Sequence, residues 1–141
     1  MKLRKLTLND LPFLLSVRNH ETTRRFLEND SVFTYEECKE WYNRTNPVWF
    51  IVEVGGEDIG YIRTDGKAEV GCDIHPAYRK KGYATSAYKL YLQDKHEAEL
   101  WVFENNFALE MYKKLGFTPT HEKKDVRGIG YIKMIWKRPT T

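Results

Sequence analysis

The sequence predicts an α+β fold, with helices and strands mixed in α/β fashion, in one domain covering residues 1–141. Three observations support that class. The chain has 141 residues, a length that suits one hydrophobic core. Its 41% hydrophobic and 14% aromatic content is that of a packed protein, not a disordered one. Helical and extended periodicities alternate along it with turn signals between them, and no repeat, low-complexity tract or linker interrupts the pattern.

Residues 2–7, KLRKLT, alternate polar and apolar and read as a short strand. In LNDLPFLLSVRN, Leu8, Leu11, Leu14, Leu15 and Val17 make a helical stripe; Asn9 or Asp10 caps it, and Pro12 is tolerated in its first turn. Thr34 and Glu37 have the spacing of a capping box, so a second helix opens there and runs to about Arg44. Pro47 breaks the chain ahead of VWFIVEV (48–54), a strand rich in β-branched and aromatic residues. Gly55-Gly56 turns it into EDIGYIRT. The turn Thr64-Asp65-Gly66-Lys67 then leads to a third strand, AEVGCDIHP (68–76), which Pro76 ends. Residues 83–95 put Ala84, Ala87, Tyr88, Tyr91 and Leu92 on one helical face, and AELWVF (98–103) is a strand. NNFALEMYKKLGF carries Phe107, Ala108, Met111, Tyr112 and Leu115 at helical spacing, with Gly116 placed to end the helix in the left-handed conformation. FTPTHEKK and YIKMIWK close the chain as extended segments joined around Gly128 and Gly130.

Net charge is +3, mildly basic and short of a protein that coats nucleic acid. No stretch approaches the roughly 20 apolar residues needed to span a membrane, and the cationic N-terminus lacks a signal-peptide core. A cytoplasmic protein without nucleic-acid or membrane partners is expected. Cys38 and Cys72 lie far apart with no CxxC spacing, which fits reduced thiols. His20, His75, His96 and His121 are scattered, so no metal site is expected. Exposed edge strands near the C-terminus permit a monomer or a homodimer.

One junction concentrates charge. In HPAYRKKGYA the strand stops at Pro76, Arg79, Lys80 and Lys81 follow, and Gly82 stands at the mouth of the next helix. A helix N-terminus exposes N–H groups without intrahelical partners and carries partial positive charge. Glycine allows close backbone approach and the cations add attraction, so the junction suits a phosphate or pyrophosphate. Neither GxxxxGK[ST] nor GxGxxG is present, which removes support for a P-loop or a Rossmann domain.

The string from Arg79 to Ala84 resembles the R/Q-x-x-G-x-G/A signature of the GNAT N-acetyltransferases. ENNFALEMYKKLGF is similar to the family's N-x-x-A-x-x-x-Y-x-x-x-G-F segment, with Asn105, Ala108, Tyr112, Gly116 and Phe117 in register. AEVGCDIHPAYRKKGYAT looks like the branch with ribosomal-protein N-terminal and nucleotide-amino-sugar acetyltransferases. The likeness is strongest over residues 68–117 and weak before residue 47. It implies a GNAT-type domain, a central, mostly antiparallel sheet of six to seven strands flanked by about four helices. It also implies an acetyl-CoA-dependent N-acetyltransferase without a metal, in which a primary amine attacks directly within a ternary complex. Two positions depart from the pattern: Lys80 stands where many relatives have glycine, and Leu100 where some N-terminal acetyltransferases place a glutamate base.

On that resemblance, the backbone around Lys80, Lys81, Gly82, Tyr83, Ala84 and Thr85 holds the pyrophosphate, helped by Arg79 and Lys81. Main-chain groups of Cys72, Asp73 and Ile74 pair with the pantetheine arm as with an added strand. Asn105 contacts the cofactor or caps its helix. Tyr112 is the general acid for the departing thiolate, since a phenol of pKa about 10 stays protonated at neutral pH. The base is open. Asp73 falls on the strand face opposite Val70, Cys72 and Ile74, where a carboxylate either faces a polar cleft and serves the amine or pairs with an arginine. Glu69, His75 and Glu104 are weaker candidates, and the proton can also leave through water.

VRNHETTRRFLEND resembles a segment of amino-sugar acetyltransferases. Arg18, Arg24 and Arg25 are therefore candidates to meet a diphosphate or carboxylate, against the simpler reading of salt bridges with Glu21 and Glu28. With the loop near VRGIG (126–130) they flank the expected acceptor cleft. A nucleotide-linked amino sugar and a protein N-terminus lead as acceptors, ahead of a polyamine or antibiotic. From another class comes a non-catalytic coenzyme A-binding sensor, opposed by the joint presence of Asn105 and Tyr112. An RNA-binding domain lacks the strand-face aromatics it needs.

Overall fold

The computed structural model describes residues 1–140. The chain begins with β1 (Lys2–Lys5), then α1 (Leu11–Arg18), α2 (Glu21–Arg24) and α3 (Tyr35–Thr45). Three strands follow, β2 (Phe50–Val54), β3 (Glu57–Thr64) and β4 (Val70–Ile74), and then α4 (Tyr83–Leu92). The last third holds β5 (Glu97–Phe103), α5 (Ala108–Leu115), β6 (Thr118–Val126) and β7 (Ile129–Lys137). The mixed architecture and antiparallel pairing are those expected, with α2 the helix not foreseen. Four residues are too few to show periodicity; α2 is set by its cap, the Thr22 N–H donating to His20 Nδ1 at 3.2 Å.

Hydrogen bonding divides the strands into two antiparallel sheets, β1-β2-β3-β4 and β5-β7-β6. They meet at one isolated parallel bridge between Glu69 and Glu99, where the Glu99 N–H donates to the Ala68 carbonyl at 2.8 Å. Past that bridge β4 pairs only with β3, so its other edge from Gly71 to Ile74 has no strand partner among the described residues. This break in the sheet creates the cleft described below.

Strand side chains alternate between faces, and each face has its own core. Val52, Ile62, Val70 and Ile74 pack with Tyr88 and Leu92 of α4 and with Leu100, Phe117 and Met134 of the second sheet. Ile51 and Tyr61 face the other way, onto Leu11, Leu14 and Val17 of α1 and Cys38 of α3. Each fully buried large side chain contributes about 1.5–3 kcal/mol over its exposed state.

The helix starts follow local chemistry. The Thr34 hydroxyl accepts from the Glu37 N–H at 3.1 Å and the Glu37 carboxylate from the Thr34 N–H at 2.9 Å, the capping box expected. Asp10 stands at the N-cap position of α1, but its side chain makes no capping hydrogen bond to that helix and turns back instead. It closes a 3-10 turn (Leu8–Asp10), accepts from the Thr7 N–H at 2.8 Å, and takes two hydrogen bonds from Arg4 at 2.9 and 2.8 Å. Burial alone raises a carboxyl; here the bonds from Arg4 and Thr7 outweigh it and hold Asp10 below the usual range. α4 ends at Leu92, short of residue 95, where Arg138 donates to the Leu92 carbonyl at 2.9 Å and the Lys95 carbonyl at 2.7 Å. Gly116 ends α5 at φ 104°.

The β6–β7 hairpin reaches back over the loop after α2. Arg127 donates to the carbonyls of Glu28 and Leu27, both at 2.8 Å, and Lys124 meets the Glu28 carboxylate at 3.0 Å. No helix among the described residues is long and apolar enough to cross a membrane.

Candidate active site

The charged junction is built as an anion cradle. After a 3-10 turn (Pro76–Tyr78), the backbone passes twice through the left-handed region, at Lys80 (φ 63°) and Gly82 (φ 78°). α4 then begins at Tyr83 with no side-chain cap. The first N–H groups of α4 have no partner among the described residues and lie beside two exposed lysines. For a residue with a Cβ, the Lys80 conformation costs about 1 kcal/mol relative to glycine. That is the physical reason glycine suits this place in the loop.

A cleft of about 680 Å³ runs from this cradle along the open edge of β4 to α5. One wall carries Lys80, Gly82, Tyr83, Ala84 and Thr85; another carries Cys72, Asp73 and Ile74; Tyr112 and Met111 stand on a third. Residues from four separate elements expected to hold one ligand are thus brought together. An unpaired strand edge leading to uncapped helical N–H groups fits a donor with an amide-bearing arm and a pyrophosphate.

The Tyr112 hydroxyl accepts a long hydrogen bond of 3.4 Å from the Tyr88 hydroxyl, with the rings edge to face at 5.5 Å. Burial raises the Tyr112 phenol above its ordinary value, while the Tyr88 hydrogen bond and the charge of Arg63 work the other way. The net effect keeps it a proton donor throughout the neutral range. Burial also pushes the Cys72 thiol well up, which favours its neutral form.

Asp73 is paired. Its Oδ2 accepts from Arg63 Nε at 2.9 Å, and its side chain is 12% exposed. Burial opposes the charge of Arg63, but the neighbouring Asp73 carboxylate more than offsets this and raises the guanidinium's pKa. The two terminal nitrogens of Arg63 make no hydrogen bond among the described residues. They lie over Gly71, where an added Cβ would come within 2.4 Å of Nη2. Tyr61, opposite Asp73 in the strand register, is fully buried and stacks on Trp49 at 5.5 Å, and its hydroxyl has no partner among the described residues. Arg63 was not among the residues anticipated. The available signal was a charge directly after the apolar run 59–62 of β3, one diagonal step from Asp73.

Several expected residues stand elsewhere. Asn105 is exposed and outside the cleft; Asn106 lines it, and its side chain accepts from the Ala108 N–H at 2.9 Å. The motif asparagine sits on the turn out of β5, which orients the next residue inward instead. Arg79 borders the cleft, but its guanidinium is bound to the Ile74 carbonyl at 2.9 Å and to the hydroxyls of Thr22 and Thr23, so it braces α2 against the loop. Lys81 is exposed and does not line the cleft. Arg24 donates to the carbonyls of Asn19 and Asp30. Arg18 donates to those of Ser31 and Asn29 and borders a separate cavity beneath α3. Neither forms the salt bridge with Glu21 or Glu28 that its spacing allows; Glu28 pairs with Lys124. Arg25 alone of the three faces the cleft. Among the weaker base candidates, Glu104 pairs with Lys123 at 2.8 Å, His75 caps the 3-10 turn through Nδ1 at 3.1 Å, and Glu69 is exposed at the inter-sheet bridge.

The family model of the acetyltransferase (GNAT) domain matches residues 1–118. The chain is 29% identical over 143 aligned positions to spermidine N(1)-acetyltransferase of Escherichia coli K12, covering 84% of this chain and 73% of that protein. Among solved structures, spermidine N-acetyltransferase from Vibrio cholerae in complex with CoA and spermine superposes with a TM-score of 0.84 at 21% identity, over 96% of this chain and 94% of that one. An acetyltransferase from Salmonella typhimurium with its cofactor acetyl-CoA gives 0.76 at 20% identity, over 100% and 95%. Both share the fold.

Proposed function

This chain belongs to the GNAT acetyltransferase family, and on that premise we propose that residues 1–141 act as one domain that acetylates a primary amine carried beside an anionic group. Of the acceptor classes expected, a nucleotide-linked amino sugar fits that description best. As a family member the chain is an N-acetyltransferase with acetyl-CoA as donor.

Acetyl-CoA supplies an acetyl group already activated as a thioester; the protein must hold it, admit a neutral amine and return a proton. The N–H groups at the start of α4, with Lys80, anchor the phosphates. The open edge of β4 at Cys72, Asp73 and Ile74 orients the arm. Tyr112, kept protonated by burial, gives its proton to the departing sulfur. Asp73, with one oxygen held by Arg63, keeps the other to orient the acceptor's ammonium group, whose proton leaves through water in the cleft.

The observation that carries the acceptor class is the charge at that end of the cleft. Arg25 and Arg63 face it against the single carboxylate Asp73, which is already paired. The unengaged fork of Arg63 suits a planar or tetrahedral anion held in bidentate fashion, and the same charge repels a polycation. A second reading, a polyamine acceptor, is favoured by the relationship to the E. coli spermidine enzyme. A thiol-release assay with acetyl-CoA and three acceptors (a nucleoside-diphosphate-linked amino sugar, an N-terminal peptide and spermidine) separates them. Preference for the first supports the proposal; preference for spermidine overturns it.

A further inference from the structure

Phe107 is exposed over 92% of its surface, the most of any large apolar residue described. Its spacing with Ala108, Met111, Tyr112 and Leu115 places it in a core-facing stripe, yet those residues are half-buried and Phe107 is not. The reason is local: the stripe holds only inside α5, and Phe107 stands at its mouth, as the helix's N-cap residue. Its backbone is nevertheless held in place. The backbone is already helical at φ −59°, and Asn106 ties the turn through its side chain to the Ala108 N–H at 2.9 Å and its carbonyl to the Leu109 N–H at 3.1 Å. A phenyl ring carried into water on such a backbone forgoes the burial that normally keeps phenylalanine inside.

The ring is not on remote surface. It lines the donor cleft, which also contains the anion cradle at Lys80 and Gly82. Beyond its pyrophosphate the donor carries one aromatic group, the adenine of its nucleotide end. An exposed aromatic side chain at the lip of a cationic groove is the arrangement by which proteins stack bases without reading their sequence.

We propose that Phe107 is the stacking platform for the adenine of the donor, and that it makes the protein prefer coenzyme A over thiols that end at the phosphopantetheine arm. The inference rests on acetyl-CoA as donor and is independent of the acceptor.

The test is binding by calorimetry of two probes, coenzyme A and 4′-phosphopantetheine, to the wild-type chain and to Phe107→Ala and Phe107→Trp. The expected result is coenzyme A binding about 10-fold weaker in Phe107→Ala and retained or tightened in Phe107→Trp, with 4′-phosphopantetheine unchanged in both. Equal weakening of both probes assigns the ring to the arm and overturns the proposal. No change for either probe takes the ring out of the donor site, as for a surface that meets another protein, and also overturns it. A wild-type chain that binds neither probe removes the donor reading itself. Because the ring is solvent-exposed, all three proteins are expected to melt at the same temperature without ligand, which separates binding from folding.

Discussion

The two sides of the cleft are built from different materials. The side proposed for the donor consists of main chain: the unpaired edge of β4, the turn through Lys80 and Gly82, and the uncapped start of α4. The side proposed for the acceptor consists of side chains gathered from α2 and the loop after it, β3 and β7, Arg25 and Arg63 among them. Main-chain sites constrain residue type and spacing within one short stretch, so they leave a motif. Side-chain sites are assembled from distant stretches, and each arginine in them has another use within reach. Arg18, Arg24, Arg79 and Arg127 all satisfy backbone carbonyls. Among the described residues, Arg25 and the terminal nitrogens of Arg63 are the arginine groups that border the cleft without such a bond.

The largest effect expected separates chemistry from binding on the donor side. Tyr112→Phe should lower turnover about 100-fold or more and leave coenzyme A affinity unchanged, read by steady-state kinetics and calorimetry. A fully active variant would remove the assigned acid. Next is Arg63→Gln, which should raise KM for an anionic acceptor about 10-fold while KM for acetyl-CoA holds. The same change leaves Asp73 without its partner, so stability should fall by on the order of 2 kcal/mol in a denaturant titration.

The neighbouring arginines sharpen the contrast. Arg24→Ala removes two bonds to carbonyls and should cost about 1–2 kcal/mol with little change in acceptor KM; Arg25→Ala should do the reverse. A smaller effect of opposite sign is expected at the loop. Lys80→Gly should gain about 1 kcal/mol by relieving the left-handed backbone, while donor affinity falls a few-fold and becomes less salt-sensitive. The smallest concerns pH. Burial raises the phenols of Tyr61, Tyr88 and Tyr112 above their unfolded values, so the stability they contribute is complete below about pH 10 and is lost as pH rises toward the folded values. A melting temperature flat from neutral pH to about pH 9 and falling above it is the expected record.

The legible parts of the molecule follow the same division. The capping box at Thr34, the hairpin at Gly55-Gly56, the left-handed end at Gly116 and the cradle around Gly82 were all readable, because each is a short-range demand of the backbone on residue type. Asn105 and Asn106 show the limit. Adjacent identical residues carry no label for which one turns inward, and the bend leaving β5 decides it. The Arg63–Asp73 pair joins residues ten apart across two strands and becomes visible only once the β3–β4 register is known. The split into two sheets was equally hidden, since every strand is individually ordinary and only their pairing reveals the gap.

That gap has a bearing on how long the protein survives in a cell. An edge from Gly71 to Ile74 that pairs with no strand, though Arg79 takes its Ile74 carbonyl, is what another chain pairs with, and natural proteins rarely leave one uncovered. If the donor's arm is its cover, occupancy shifts the folding equilibrium by mass action, about 2.7 kcal/mol at a ligand concentration 100 times Kd. On the same condition, the chain without donor would be more open to proteolysis and to edge-to-edge pairing than the chain that holds it.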